Sequence, residues 1–549
     1  MRPAPFACSD EPARQPRRMR IVCIGAGMSG IAASYKFQRQ MENAEFVIYE
    51  KNEEVSGTWW ENRYKGCACD LPAHSYTFSW EGNPNWSRFY AGAEEIFEYY
   101  KGCAERWGCM KFIKLKHRVT SATWNESSST WKLLIENRSG ENVEDEGNVL
   151  ISATGVLNQW RWPSIEGLHD FGGKLMHSAR WDDSFEFHGK RVAVIGAGSS
   201  AIQIVPAIQG DVSQVISFIR SSTWITAEFA EQMASNGRET IYTPEEIERF
   251  NTDKAYFLEY RKRLARGATI SYDVYRKDSA LQKNAVERNK KAMRERLSNR
   301  SDLCEKVIPS FEVGCRRLTP GSGYLEALAA DNSKVVFDTI ERVNETGIVT
   351  KDGSQYDVDA IVCATGFDVS QKPAFPVMGR NGVDLRNFWK DAPIHYLSVA
   401  VPDFPNYFIV GGPNSTISNG SLIYGLEAAI DYAFKCTRKM QEEGISSMTV
   451  RRGPTDEFLE YRDALMQRMV WSGSCRSWYK NGKVDGPVTG PWCGSTMHYR
   501  QTLNEPRWED YDIRYIGKNR FAYLGMGRIR GELEGNDMAS ILTDHSLES

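Results

Sequence analysis

No two of the twelve cysteines are spaced CxxC, which argues against a zinc ribbon or a thioredoxin-type redox pair, and no metal site is expected. Disulfide frameworks belong to short secreted chains, so scattered cysteines in a long chain point to a reducing compartment, the cytoplasm. The CxC pair Cys67 and Cys69 reads as packing. No apolar run approaches the roughly 18 residues of a membrane-spanning helix. Neither sign of charge dominates. Lys+Arg 68 against Asp+Glu 71 leaves a formal charge of −3, giving no general pull toward nucleic acid or an anionic membrane. The first residues lack the apolar stretch of a signal peptide and are rich in Pro and Arg, so residues 1–19 are expected as a flexible arm.

What is present is globular. The chain has 549 residues, 41% hydrophobic and 25% charged, or three to four domain-equivalents at roughly 150 residues each. Order begins at Arg20. Residues 20–25 (RIVCIG) form a short apolar strand that runs into Gly25-Ala26-Gly27-Met28-Ser29-Gly30. A helix from Ile31 and a second strand, residues 46–50 (FVIYE), complete a β-α-β unit. The same pattern returns at residues 191–196 (RVAVIG), with Gly196-Ala197-Gly198-Ser199-Ser200-Ala201 as the turn and residues 215–219 as the next strand. Two such units predict an α/β fold with two Rossmann-like dinucleotide-binding domains. Residues 226–310, rich in Glu, Lys, Arg, Ala and Leu, are expected as a helical insertion, and the last seventy residues as a loop-rich cap.

Each glycine loop has a physical rationale. The first Gly makes the tight turn, the second lets backbone approach a pyrophosphate, and the third, or Ala201 in the second copy, permits close helix–strand packing. The end of the following strand selects the nucleotide. Glu50 lies 25 residues past Gly25, where an acid accepts hydrogen bonds from a ribose 2′-hydroxyl. In the second copy Arg220 lies 24 residues past Gly196, where an Arg suits the 2′-phosphate of NADP. One flavin and one nicotinamide is the common solution to two such sites, with hydride passing from NADPH to FAD.

Between the two units, Phe171, Gly173, His177 and Trp181-Asp182 fit the pattern FxGxxxHxxxW followed by Pro or Asp. Here the sequence resembles the Baeyer–Villiger monooxygenases, flavoproteins that insert an oxygen atom beside a ketone. The resemblance extends from about Arg20 over nearly the whole chain. Residues 57–70, GTWWENRYKGCACD, resemble the family segment that lies against the flavin, with Lys65 where Pro is usual. Ala153-Thr154-Gly155 and Ala364-Thr365-Gly366 resemble its two strand-end returns. Gly314–Pro320 resembles its Lys/Arg-Arg segment, Ser477-Trp478-Tyr479 its closing loop, and residues 490–495 (GPWCGS) its fungal secondary-metabolism branch.

The resemblance implies roles. Gly25, Gly27, Met28, Ser29, Gly30, Glu50, Thr58, Trp59, Asp70, Tyr76 and Val119 are expected to contact FAD. Gly196, Gly198, Ser199, Ser200, Arg220, Ser221, Arg316, Arg317 and Trp478 are expected to contact NADP. Phe171, Gly173, His177 and Trp181 are a domain-coupling element. Arg317 is the active-site arginine and Asp70 the partner that orients it. Arg317 would keep a C4a-peroxyflavin deprotonated and stabilise charge as it adds to the ketone. The FAD domain is expected over 20–160 and 380–549, and the NADP domain over 161–225 and 311–379. The expected activity is NADPH- and O2-dependent conversion of a polyketide, terpenoid or steroid-like ketone to an ester or lactone, and a monomer is consistent with it. An N-hydroxylating or sulfoxidising flavin monooxygenase shares the two-loop plan but lacks the terminal Trp-Asp or Trp-Pro of the linker. A redox sensor binding both cofactors is disfavoured by the Arg316-Arg317 pair.

Overall fold

A computed structural model describes residues 8–226, 241–297, 300–536 and 539. Residues 19–24, MRIVCI, are an almost unbroken apolar run buried on both faces, the signature of a central parallel strand. This strand, β1 (Met19–Ile24), leads into helix α1 (Met28–Gln40) and strand β2 (Ala44–Tyr49). With β3 (Ile113–Lys114) and β4 (Val149–Ser152), and with Tyr407–Ile409 returning from the far end of the chain, they form a five-stranded parallel sheet. Its order is Tyr407–Ile409, β4, β1, β2, β3.

A second five-stranded parallel sheet repeats this plan. Its strands are β5 (Lys174–His177), β6 (Arg191–Ile195), β7 (Gln214–Phe218), β8 (Ser333–Val336) and β9 (Ala360–Cys363). They lie in the order β8, β7, β6, β9, β5. The two sheets superpose in role: β1 on β6, β2 on β7 and β4 on β9. Both are interrupted in sequence, because a parallel strand pair needs a crossover that other elements can occupy. The residue pair Val377–Met378 already pairs with the hairpin sheet over 118–147 of the first unit.

Between β7 and β8 run helices at Pro244–Thr252, Lys254–Ile270, Ala280–Arg296 and Ser301–Val307. Residues 227–240 of the expected insertion lie outside the described residues. The first of these helices starts on a capping box, Thr243 with Glu246. The insertion grips the first unit. Arg261 Nη2 donates to Thr77 Oγ1 at 3.1 Å and to the Phe78 carbonyl at 2.8 Å. Tyr242, Phe250, Phe257 and Tyr260 surround the His74 ring edge-on. The segment thus clamped carries Tyr76.

Two sequence expectations change here. Part of the N-terminal arm is docked: the Arg14 amide donates to the Tyr523 carbonyl at 2.8 Å and Ala13 bridges to Ile529. The C-terminal seventy residues are not all loop, because Thr496–Asn504 is a helix and Tyr511–Tyr515 pairs with Ile445–Val450. Trp and Gly content masked the apolar spacing of both. No helix among the described residues is long and apolar enough to cross a membrane.

His74, His177 and His395 are fully buried. Burial pushes them down to about 3, about 4 and about 3, with Arg261 adding to the effect at His74 and Arg462 at His395. The unfolded chain takes up these protons near pH 6.5 and the folded chain does not, so stability falls as pH drops from about 6.5 toward 3. Each histidine costs about 2 kcal/mol at pH 5. Thermal unfolding between pH 7.5 and 4.5 should therefore show a melting temperature that drops steadily on the acid side; a flat profile would contradict this assignment.

Candidate active site

The two glycine loops are built by the same contacts. The Gly25 amide donates to the Tyr49 carbonyl at 2.9 Å, and the Gly196 amide to the Phe218 carbonyl at 3.1 Å. Gly25 has φ +104, and a Cβ there would lie 2.5 Å from the Ala153 carbonyl oxygen. Gly196 has φ +126, with the equivalent clash at 2.4 Å from the Ala364 carbonyl oxygen. Each ATG strand end is thus the wall against which its own glycine loop turns, and neither site admits a side chain. Beyond these ends the chain crosses between units side by side: the Asp368 amide donates to the Gln159 carbonyl at 2.7 Å, and Trp160 bridges to Phe367.

α1 and its counterpart α2 (Ser199–Gln209) both begin on a glycine with no side-chain cap. Their first amides remain for an anion, where the helix dipole favours negative charge. Glu50 is buried at the end of β2. Its Oε2 accepts from the Ala26 amide at 2.7 Å and its Oε1 from the Asn52 amide at 2.8 Å. Burial raises its pKa. The carboxylate therefore cinches the glycine loop to the strand end, a task beyond the ribose contact expected from sequence.

Both loops open into one cavity of about 2230 Å³. Single small-molecule sites occupy roughly 300–1,000 Å³, so this space is sized for more than one ligand. Its wall includes every expected flavin contact except Gly30, which packs under the loop where a Cβ would meet the Gly25 carbonyl oxygen at 2.1 Å. It also includes every expected NADP contact: Gly196, Gly198, Ser199, Ser200, Arg220, Ser221, Arg316, Arg317 and Trp478. On the same wall Trp59 Nε1 and the hydroxyls of Ser75, Ser415, Thr416, Ser418 and Ser421 are buried with no partner among the described residues. Orphaned donors at a cavity wall are what a polar ligand satisfies.

Where the two units meet, Arg317 Nε donates to Asp70 Oδ2 at 2.5 Å and Arg317 Nη2 to Asp70 Oδ1 at 2.7 Å. This is a bidentate fork between residues 247 positions apart. The Asp70 charge holds the guanidinium above its ordinary pKa, outweighing burial. Of the Arg317 side chain 40% is accessible, and it lines the cavity. Tyr76, Tyr275 and Tyr479 lie near enough that the guanidinium acts on each of them. Tyr275 comes from the helical insertion, where nothing in the sequence marks it. The Asp70 loop is also tied to the second unit: Tyr64 Oη donates to Gln203 Oε1 at 2.7 Å, and Gln203 Nε2 to the Ala68 carbonyl at 2.9 Å.

At the end of β7, Arg220 is exposed and Arg316 is half-buried. Arg316 Nη2 donates to Ser221 Oγ at 2.9 Å, Nη1 to the Ser222 carbonyl at 2.9 Å, and Nε to the Arg476 carbonyl at 2.6 Å. Burial lowers its pKa, and Arg220 and Arg476 lower it further. Three arginines crowd one corner, and sequence reading had missed Arg476, although it adjoins Ser477-Trp478.

The linker residues lie behind the wall. His177 ends β5, stacks on Trp160 at 4.7 Å and pairs through Nε2 with Thr365 Oγ1 at 3.3 Å. Trp181 stacks on Phe187. Gly173 packs where a Cβ would meet the Asp359 carbonyl oxygen at 2.6 Å. His177 therefore touches both crossing segments, through Trp160 and Thr365. One pairing was not foreseen: Cys315 and Cys475 form a disulfide, while Cys67 and Cys69 are free. The compartment argument weighed chain length, and proximity across 160 residues has no local signal.

Residues 18–236 match the family described as flavin-binding monooxygenase-like. The FAD-binding monooxygenase tazF of Aspergillus terreus is 41% identical over 96% of this chain and 95% of its own. A Baeyer–Villiger monooxygenase of Pseudomonas aeruginosa is 32% identical over 88% of this chain and 89% of its own. The chain belongs to the flavin-binding monooxygenases of Baeyer–Villiger type. Among solved structures, steroid monooxygenase bound to NADP matches with a TM-score of 0.77 and 26% identity, over 90% of this chain and 99% of that one. Within this family fold, the two parallel sheets are the pair of Rossmann units expected from the glycine loops.

Proposed function

We propose that the protein is an NADPH- and O2-dependent FAD monooxygenase that inserts one oxygen atom beside a ketone carbonyl to give an ester or lactone. The observation that carries this reading is the Arg317–Asp70 fork, set in one cavity with both glycine loops. The first loop would hold FAD: the α1 N-terminus would take its pyrophosphate, Glu50 its ribose, and Trp59, Asp70 and Tyr76 would line the place of its ring. The second loop would hold NADP, and Arg220 and Ser221 would take its 2′-phosphate. Bound there, FAD supplies hydride acceptance and oxygen activation.

The chain supplies the rest. Arg317 stays charged at any working pH and presents a fixed cation where negative charge grows as oxygen adds to the carbonyl carbon. Asp70 takes two of its donors and fixes the guanidinium plane. Trp478 and Tyr479 line the cavity and would cover a bound nicotinamide and exclude water. The crowded corner of Arg220, Arg316 and Arg476 is relieved by a dianionic phosphate. Arg476→Ala should accordingly raise KM for NADPH about 3–10-fold at unchanged kcat, about 1 kcal/mol of lost charge pairing; an unchanged KM in steady-state assays would remove Arg476 from this site.

The substrate class follows from the resemblance: a bulky secondary-metabolite ketone of polyketide, terpenoid or steroid-like type. Incubation with NADPH, air and a panel of cyclic and methyl ketones should give one ester or lactone per NADPH consumed. Oxidation of thioethers or amines with no ester would favour the sulfoxidising or N-hydroxylating reading. Bound flavin that NADPH reduces but that consumes no oxygen would refute both.

A further inference from the structure

The Cys315–Cys475 bond joins the two segments on which the site depends. Cys315 directly precedes Arg316 and Arg317, and Cys475 directly precedes Arg476, Ser477 and Trp478. The bond spans 160 residues with Cα atoms 6.3 Å apart, and the other ten cysteines are free. Both joined residues are buried, at 0% and 1% exposure. Neither lines the cavity, so the bond is not placed to exchange electrons with a ring bound there. Its position is mechanical. A noncovalent tie between the same segments is the hydrogen bond from Arg316 Nε to the Arg476 carbonyl, 2.6 Å. One hydrogen bond to a loop carbonyl is a far weaker restraint than a covalent bond that closes a loop of 160 residues.

We propose that the Cys315–Cys475 disulfide is a covalent latch that holds the Trp478 loop against the Arg317 segment and keeps NADPH consumption coupled to oxygenation. Reduction opens it: a dithiol gives up two electrons and two protons, the S–S bond becomes two thiols, and the dithiol closes its own disulfide. The freed loop admits water, and reducing equivalents from NADPH leave as hydrogen peroxide. Hydrogen peroxide then reverses the change. The two thiols lose two electrons and two protons, the bond re-forms, and the peroxide becomes two waters. Leakage thus restores the latch that prevents it. Because both sulfurs are buried, a dithiol reaches them only when the loop lifts. NADP+ against Trp478 should therefore slow reduction, a consequence that rests on the NADP site proposed above.

The test starts from full-length protein purified in air without reductant. Denaturation, alkylation with N-ethylmaleimide and intact mass should show ten modified thiols, and twelve after dithiothreitol. With an oxygenated substrate present and released peroxide removed by catalase-coupled detection, reduced wild type should keep its FAD yet release about threefold more hydrogen peroxide per NADPH oxidised, and one added equivalent of peroxide should reverse this. C315S/C475S should behave as reduced wild type and respond to neither reagent. NADP+ should slow the appearance of the last two thiols. Twelve modified thiols both as purified and after peroxide would overturn the latch, as would equal peroxide yields from oxidised and reduced wild type. If no form makes an ester but a thioether or amine is oxygenated and the thiol count and peroxide yields shift as stated, the proposed function fails and the latch stands.

Discussion

Arg317→Ala should retain FAD and still accept hydride from NADPH, yet make ester about 10²–10³-fold more slowly, the usual cost of deleting one preorganised electrostatic donor at a developing oxyanion. The argument is geometric. The guanidinium reaches the cavity from one unit while Asp70 grips it from the other, so the charge is present and aimed before substrate arrives. Stopped-flow reduction by NADPH, followed by product analysis, separates the two half-reactions. Arg317→Lys should recover little, because an ammonium cannot make the two-point contact to Asp70. Asp70→Ala leaves the charge but frees its plane, and should fall between native and Arg317→Ala. If Arg317→Ala made product at near the native rate, the assignment would be wrong.

Arg220→Ala should raise KM for NADPH by about 10–100-fold and change KM for NADH little, the worth of one charge-assisted phosphate contact of about 1.5–3 kcal/mol. Arg220 lies exposed at the strand end, with the half-buried Arg316 behind it and Ser221 beside it. Arg316 spends its donors on Ser221, Ser222, Thr223 and Arg476, so it frames the corner and leaves Arg220, and more weakly Arg476, to meet a phosphate. Steady-state kinetics with both nucleotides check this. Equal increases for NADPH and NADH would show that Arg220 acts through the fold.

How much was legible in the sequence depends on distance along the chain. The glycine loops, Glu50 and Arg220 are local: strand, turn and helix lie within about thirty residues, and turn chemistry fixes them. The two ATG ends were legible as strand-end returns only through the resemblance. The Arg317–Asp70 fork was legible only through family resemblance, since no spacing rule links residues 247 apart. Tyr275 escaped because it sits in a charged helical insertion where aromatic residues read as packing. Gln203 escaped because α2 looks like any Rossmann helix, and only its contact with Tyr64 and Ala68 shows that it aligns the units. The Cys315–Cys475 bond escaped for a different reason. Its two cysteines lie 160 residues apart, and no local pattern pairs them.

The central claim is that this cavity splits O2 and places one atom beside a ketone. It is tested most directly by running the reaction under 18O2 with NADPH and a ketone that gives product, then locating the label by mass spectrometry of the ester fragments. The account predicts one 18O per molecule, in the bridging ester oxygen, and none there when the label is supplied as H2(18)O. A bridging oxygen derived from water, or an 18O found only in hydrogen peroxide, would contradict it.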